Sequence, residues 1–325
     1  MTDSPARSAA GLARSRAYLA LAAICIIWGT TYTAIKFAVR DFPPFLLVGL
    51  RQTVAGMLLL GLAYANYRWK TARTRALDAD PVVVPSVVNR AYVLRQLLTG
   101  FFTITGGNGF ITWGMQYVSS GLASLIGSLT PVFVVLISLT WRSSDRITLR
   151  TLAGVLLGFG GLAFIFSHGL QDFLKPAYRW GIAGCFASCF TWSLGTVMAK
   201  HWNSTAVSPL LNAGLQIAAG GLGGFILSAL LDTSHTIHHS TTGWLAFIYL
   251  VTIGSALAFS LYMFALKHLS ATVTSLYTYI NPTVAILLGW LFLGEILTIW
   301  ELLGMAITIA GVWLVNTGQR PKATT

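Results

Sequence analysis

The chain is organised by long apolar runs, with charged residues mostly confined to the stretches between them. Each run is about 20 residues long, which is the length that a helix needs to cross roughly 30 Å of hydrocarbon. Only helices and closed barrels satisfy their backbone hydrogen bonds in lipid, and uninterrupted runs of this length are typical of helices. The predicted spans are 17–39, 44–66, 95–117, 119–141, 148–167, 180–200, 208–231, 243–266, 271–293 and 297–317.

The composition excludes a water-soluble domain. Of the 325 residues, 55% are hydrophobic and 9% are charged, whereas soluble domains carry about 25% charged residues. We therefore predict an all-α polytopic membrane protein whose main partner is the lipid bilayer. The net charge of +12 arises largely from Lys and Arg between the apolar runs, as in loops that face anionic lipid. Nucleic acid is not an expected partner.

The basic residues also predict the orientation of the chain. If the N-terminus is cytoplasmic, 16 of the 21 Lys and Arg residues fall on the cytoplasmic side, as the positive-inside rule requires. We then expect cytoplasmic tails at residues 1–16 and 318–325. The expected location is the plasma membrane, which in a bacterium is the inner membrane.

An internal echo divides the chain into two copies of one unit. Residues near 23–56 recur 164 positions later without a gap, and the pairs include Cys25 with Cys189, Trp28 with Trp192, Lys36 with Lys200, Gln52 with Gln216 and Gly56 with Gly220. After small register changes, Pro131 matches Pro282 and Asp145 matches Glu295. The sequence predicts five-helix repeats at 17–167 and 180–317. Because five is odd, the second repeat re-enters the membrane inverted, as alternating access requires.

Several short motifs connect this pattern to a known family. They are Trp28-Gly29, Pro43-Pro44 followed by Arg51, the mid-helix Pro131 and Pro282, and Leu293-Gly294-Glu295. In combination they resemble the drug/metabolite transporter superfamily, and within it the ten-helix exporters with two EamA-type domains. The resemblance implies an exporter of amino acids, related metabolites or amphipathic drugs. It also implies a central cavity formed by the first four helices of each half. The motifs do not settle the branch, and the YddG-like amino-acid exporters are one candidate.

The two matched prolines predict irregular helices at the centre of the bundle. Pro131 and Pro282 each remove a backbone donor and free an acceptor one turn earlier, at Gly127 and Thr278. Such kinks either line a cavity and act in gating, or only shape the packing of the helices.

The candidate substrate-binding residues are aromatic or neutral polar side chains within the predicted spans. They are Trp28, Tyr32, Asn108, Trp113, Ser128, Thr130, Trp192, Thr196, Tyr279 and Asn281. For the tryptophans, ordinary packing is the alternative. Arg51 and Lys36 are possible charge contacts. Arg51 binds either backbone carbonyls or a substrate carboxylate, and Lys36 either extends to the interface or meets a carboxylate.

The placement of titratable residues shapes the predicted mechanism. All 9 acids and all 6 histidines fall in tails, loops or the end turns of spans, whereas proton-coupled carriers normally hold such a group within the pathway. We predict facilitated, gradient-driven export of neutral or aromatic amino acids and related amphiphiles by a monomer. No catalytic residue, cofactor or metal site is expected. A proton-coupled drug exporter and a metabolite importer remain open, as do an intramembrane transferase and a channel.

Overall fold

The computed structural model describes residues 5–76, 88–140, 148–168, 175–203, 207–296 and 298–318, and these residues form ten helices and no strand. In chain order the first five are α1 (Pro5–Ala38), α2 (Pro44–Ala76), α3 (Arg90–Gly100, Phe101–Asn108 and Gly109–Gly114), α4 (Ser120–Thr140) and α5 (Leu149–His168). The second five are α6 (Pro176–Trp202), α7 (Pro209–Leu231), α8 (Thr241–His268), α9 (Ala271–Thr274, Ser275–Tyr279, Asn281–Leu288 and Gly289–Leu293) and α10 (Ile299–Gly318).

Most of the described helices are apolar enough to lie in a membrane. Six of those described, α1, α2, α4, α6, α7 and α8, are individually long and apolar enough to cross a bilayer, and α5, α9 and α10 contain shorter apolar stretches. The predicted all-α polytopic membrane protein is confirmed.

Most helix starts follow local sequence signals. The side chains of Ser119, Ser208, Ser240 and Ser270 accept hydrogen bonds from the first free N–H groups of α4, α7, α8 and α9. At α10, Thr298 and Glu301 form a reciprocal capping box, in which the Glu301 carboxylate accepts from the Thr298 N–H at 3.0 Å. At the other end of α9, Gly294 adopts φ 66°, the left-handed conformation that glycine permits at a helix end.

Helix α1 is longer than the apolar run that it contains. It begins at Pro5 and continues without a break into the predicted span 17–39. The segment after Pro5 is rich in Ala and Arg, which favour helix even where no lipid surrounds them. The predicted tail at 1–16 is therefore helical from Pro5 onward, and its place in the cytoplasm stays a prediction.

The irregular segments occur at corresponding places in the two halves. Phe101–Asn108 in α3 and Leu250–Leu257 in α8 are both π-helical. Helix α4 is interrupted at residues 128–129, and α9 tightens to a 3₁₀ turn at Ser275–Tyr279, each directly before the matched proline. The two sets of five helices thus share their departures from regular geometry as well as their sequence echo.

Packing between the two sets of helices is reciprocal. Helix α1 packs on α8 and α9, and its counterpart α6 packs on α3 and α4; α2 packs on α8, and its counterpart α7 packs on α3. The counterparts α2 and α7 pack on each other, as do α5 and α10. This exchange of partners is the pattern that a twofold relation between two repeats produces.

Glycine allows the α2–α7 contact to be close. A Cβ atom on Gly56 would lie 2.7 Å from the Cα of Ala218, and one on Gly224 would lie 2.7 Å from the backbone nitrogen of Gly49. Any side chain at either position would force the helices apart, because it would meet backbone atoms. The two repeats are therefore joined along this seam by backbone contact.

Candidate functional site

A cavity of about 90 Å³ lies between the two sets of helices, and its walls come from α1, α2, α3, α4, α6, α8 and α9. The family resemblance implies the first four helices of each half, but α7 contributes none of the described lining residues. The lining consists of aromatic, apolar and neutral polar side chains. Its members are Trp28, Thr31, Tyr32, Ile35, Gln52, Ile104, Gly107, Asn108, Ile111, Gly127, Thr130, Ser188, Cys189, Trp192, Gly254, Ser255, Phe259, Tyr277, Thr278 and Asn281.

One end of the cavity is closed by four aromatic rings, which we call the aromatic floor: Trp28, Trp192, Tyr262 and Tyr277. The Trp28 ring centroid lies 5.3 Å from those of Trp192 and Tyr262 and 4.6 Å from that of Tyr277. The indole N–H of Trp28 donates to the carbonyl of Gly254 at 3.1 Å, which fixes that ring. The other α1 residues of the lining, Thr31, Tyr32 and Ile35, lie between Trp28 and the end of α1 that connects to α2. The aromatic floor therefore lies at the end of the cavity away from the α1–α2 connection.

The side chain of the residue before each matched proline binds backbone carbonyls beside the irregular segment. The Thr130 hydroxyl donates to the carbonyl of Gly127 at 2.7 Å, the acceptor that Pro131 frees. The Asn281 amide nitrogen faces the carbonyls of Cys25 and Tyr277, each 3.0 Å away. Both residues line the cavity, whereas Pro131 and Pro282 are buried behind it.

A buried cation stands behind one wall. Arg51 is 2% exposed, and its Nη2 donates to Oδ1 of Asn108 at 2.6 Å. The sequence left open backbone carbonyls or a substrate carboxylate as its partner, but the structure gives it the side chain of a cavity residue. Since that bond occupies the Asn108 oxygen, the Asn108 N–H donors remain to face the cavity. The positive charge of Arg51 polarises the Asn108 amide and so influences the cavity without lining it.

The other candidates from the sequence lie outside the cavity lining. Trp113 lies in a separate pocket at the α1–α2 end, with its ring 5.5 Å from that of Tyr117. Ser128 is buried and donates to the carbonyl of Leu125 at 2.6 Å. The Thr196 hydroxyl lies 2.6 Å from that of Tyr262, beneath the floor. Tyr279 and Lys36 are absent from the lining, and Lys36 ends α1 in its last turn.

Sequence reasoning missed Gln52, Thr31, Ser188 and Tyr277, all of which line the cavity. A signal existed for Gln52, because it takes part in the echo with Gln216. In a regular α-helix Ser275, Tyr279 and Pro282 would share one face, which is why the sequence makes Tyr279 a candidate for the cavity wall. The 3₁₀ winding of Ser275–Tyr279 turns each residue further around the axis, and Tyr277 faces the cavity instead.

The two ends of the bundle are held together by different chemistry. At the α1–α2 end, three carboxylates each bind the start of a helix from the other repeat, and we call these the carboxylate clasps. Asp232 accepts from the Leu46 N–H at 2.9 Å, Glu295 accepts from the Ser120 N–H at 2.9 Å, and Asp41 accepts from the Ser240 hydroxyl. Carboxylates suit helix starts, where free N–H groups and the helix dipole are both positive.

The opposite end uses neutral pairs. Between α3 and α7, the Tyr92 hydroxyl donates to Oδ1 of Asn212 at 2.7 Å, and Nε2 of Gln216 donates to Oε1 of Gln96 at 2.6 Å. The acids among the described residues are Asp41, Asp232, Glu295 and Glu301, and none of them lines the cavity. Among the described residues, the carboxylates that join the repeats therefore lie at one end, outside the cavity lining. At the opposite end the guanidinium of Arg95 lies over the ring of Trp202, 6.0 Å from its centroid.

Known proteins match this arrangement along nearly its whole length. The EamA-like transporter family matches residues 15–167 and again residues 179–317. The chain belongs to the EamA-like transporter family. The double match shows that two EamA-type units follow each other in one chain, in agreement with the resemblance drawn from Trp28-Gly29 and the paired prolines. The family and its relatives are transporters, which are not enzymes.

Two curated relatives have the same length and character. The uncharacterized inner membrane transporter YedA of Escherichia coli (strain K12) is 29% identical over 92% of this chain and 90% of its own. The uncharacterized transporter YvbV of Bacillus subtilis (strain 168) is 25% identical over 96% of this chain and 95% of its own. A solved crystal structure superposes with a TM-score of 0.66 at 21% identity, covering 94% of this chain and 98% of that chain, and it supports the fold alone.

Proposed function

We propose that this EamA-family transporter exports neutral amino acids, including aromatic ones, and related amphiphiles by alternating access. The observation that carries the proposal is the cavity. Both repeats build it, no described acid lines it, and the cation Arg51 binds its lining residue Asn108. Such a site offers aromatic faces to a side chain and hydrogen-bond donors to a carboxylate. A polyphosphate would need clustered cations, and a purely cationic drug would gain nothing from Arg51.

Alternating access is supported by the reciprocal packing and by the cavity size. Binding sites for small molecules commonly measure about 300 Å³ or more, whereas this cavity measures about 90 Å³. An amino acid as large as phenylalanine therefore requires the repeats to move apart. We propose that they separate at the carboxylate clasps for one access state and at the aromatic floor for the other, as inverted repeats at 17–167 and 180–317.

We also propose the predicted orientation, with both termini cytoplasmic in the inner membrane. The α1–α2 end with its carboxylate clasps then faces outward, and the floor faces the cytoplasm. The name of the relative YedA and the basic residues between the spans support this assignment. Since one chain supplies both halves of the cavity, we propose that a monomer is sufficient.

Transport by purified protein in liposomes tests the function. We expect saturable uptake of labelled phenylalanine, and counterflow when unlabelled phenylalanine is loaded inside. An imposed pH gradient should leave the initial rate unchanged, because the described cavity lining holds no acid or histidine. Uptake driven uphill by the pH gradient would instead establish a proton-coupled carrier. Absence of amino-acid uptake, with unitary conductance or transport of cationic drugs alone, would contradict the proposal.

A further inference from the structure

Gln52 is a buried amide at the cavity wall whose oxygen has no partner. The side chain is 2% exposed and lines the cavity, yet no described residue donates a hydrogen bond to its Oε1. A buried acceptor without a donor is costly, and this one lies at the cavity, where a ligand can supply the missing donor.

The matched position in the second repeat has a different role. Gln216 lies on α7, which contributes no described residue to the cavity lining, and its Nε2 donates to Oε1 of Gln96 on α3 at 2.6 Å. Its own Oε1, like that of Gln52, has no donor among the described residues, so what sets Gln52 apart is that it lines the cavity. In the register that aligns Gly106 with Leu257, the residue corresponding to Gln96 is Phe247, which has no polar group to offer. The first repeat thus keeps the glutamine of the echo without keeping its partner.

Asn108 provides the complementary group on the neighbouring helix. Its oxygen is held by Arg51 at 2.6 Å, so it presents N–H donors with a positive charge directly behind them. The cavity therefore has one wall with two polar positions, a donor backed by a cation at Asn108 and an acceptor at Gln52. This is the complement of a carboxylate next to an ammonium group.

We propose that Gln52 and Asn108 form a zwitterion clamp, in which the Asn108 N–H binds the substrate carboxylate and the Gln52 carbonyl binds the substrate ammonium group. This inference rests on the proposed function and narrows it. The substrate is selected for carrying both charges on adjacent atoms, and the aromatic floor faces its side chain.

Competition with analogues of phenylalanine tests the clamp. Phenethylamine lacks the carboxylate, and 3-phenylpropionate lacks the ammonium group, while both keep the ring. The assay measures the uptake of labelled phenylalanine by full-length protein in liposomes in the presence of unlabelled phenylalanine, phenethylamine or 3-phenylpropionate. With wild-type protein we expect phenylalanine to compete at least about tenfold better than either analogue, because each end of the clamp contributes a charge-assisted hydrogen bond.

Gln52→Met removes the acceptor at nearly constant length. We expect it to weaken competition by phenylalanine and by phenethylamine about tenfold and to leave 3-phenylpropionate unchanged, because only the ammonium contact is lost. Gln52→Glu should instead strengthen phenethylamine. The matched control is Gln216→Met, which loses the bond to Gln96. It should lower the melting temperature without altering the order of the three competitors.

Two outcomes separate failure of the clamp from failure of the function. If wild-type protein transports phenylalanine but Gln52→Met weakens all three compounds equally or none of them, the clamp is wrong and the amino-acid transporter stands. If wild-type protein does not transport phenylalanine at all, both are wrong. Gln52→Glu keeps the test valid if Gln52→Met elutes as aggregate in detergent.

Discussion

The two repeats share their architecture and differ at the cavity. In the register of the echo, Arg51 of the first repeat corresponds to Leu215 of the second, and in the register that aligns Gly106 with Leu257, Asn108 corresponds to Phe259. Asn108 and Phe259 both line the cavity, from α3 and α8. The first repeat therefore supplies a polar wall and the second an aromatic one.

This difference separates two properties of a carrier. In the proposed alternating access, symmetry in packing would allow each half to adopt the conformation of the other. This symmetry is visible in the reciprocal helix contacts and in the matched π-helical segments of α3 and α8. Recognition of an asymmetric molecule requires unlike walls. Substitutions that make the repeats alike should therefore remove recognition and leave the fold intact.

The largest effect is expected from Arg51→Leu, which gives the first repeat the residue found at the matched position in the second. We expect phenylalanine uptake to fall about a hundredfold, because Asn108 loses the charge behind its N–H donors. The melting temperature should fall little, since a buried cation without a carboxylate partner contributes little to stability. Uptake rate and thermal unfolding in detergent measure the two effects. A large loss of stability with normal uptake would make Arg51 structural.

A somewhat smaller effect is expected from Asn108→Phe, the corresponding exchange on α3. The larger side chain fills part of the cavity and removes the donor, so apparent affinity for phenylalanine should fall about thirtyfold. Overpacking should also cost about 1–3 kcal/mol of stability. The control is Phe259→Leu, which keeps the second wall apolar and should change affinity by less than about threefold. Equal losses in the two variants would mean that the walls do not differ in function.

The sequence predicted the fold because the features that define it are local. Span length, basic loops and an ungapped echo are properties of consecutive residues, and each has a direct physical reading. The bond between Arg51 and Asn108 joins residues 57 positions apart, and it depends on how α2 crosses α3, which no local pattern encodes. Trp113 shows the related error within one helix. It lies five residues after Asn108, about 140° further around the helix, and so faces a different pocket.

The two ends of the cavity provide a further comparison. At the carboxylate clasps we expect a change of about tenfold in the rate at which the cavity opens. Glu295→Ala removes both bonds to Ser120, in which Oε2 accepts from the hydroxyl at 2.6 Å. Loss of a helix-start contact costs about 1–2 kcal/mol, so the outward opening should become about tenfold more frequent. Labelling of Cys189, which lines the cavity, by an external maleimide measures this opening when Cys25 and Cys185 are replaced by Ala.

The control for that experiment is Glu301→Ala, because Glu301 caps its own helix through Thr298 and has no hydrogen bond to the described residues of the first repeat. It should lower stability without raising the labelling rate. If both variants label at the rate of the parent protein, the carboxylate clasps do not hold the repeats together.

The smallest effect is expected at the opposite end, from Thr196→Val. The change keeps the shape of the side chain and removes its hydroxyl pair with Tyr262, which contributes about 1 kcal/mol. In the proposed orientation, labelling of Cys189 from the cytoplasmic side should rise about fivefold, and labelling from outside should not change. Thr99→Val is the matched control, because Thr99 is equally buried and donates only to the carbonyl of Arg95 in its own helix. We expect a small effect because the rings of the aromatic floor pack on one another. A rise in the labelling rate much above fivefold would mean that the Tyr262 hydroxyl, and not the ring packing, keeps this end closed.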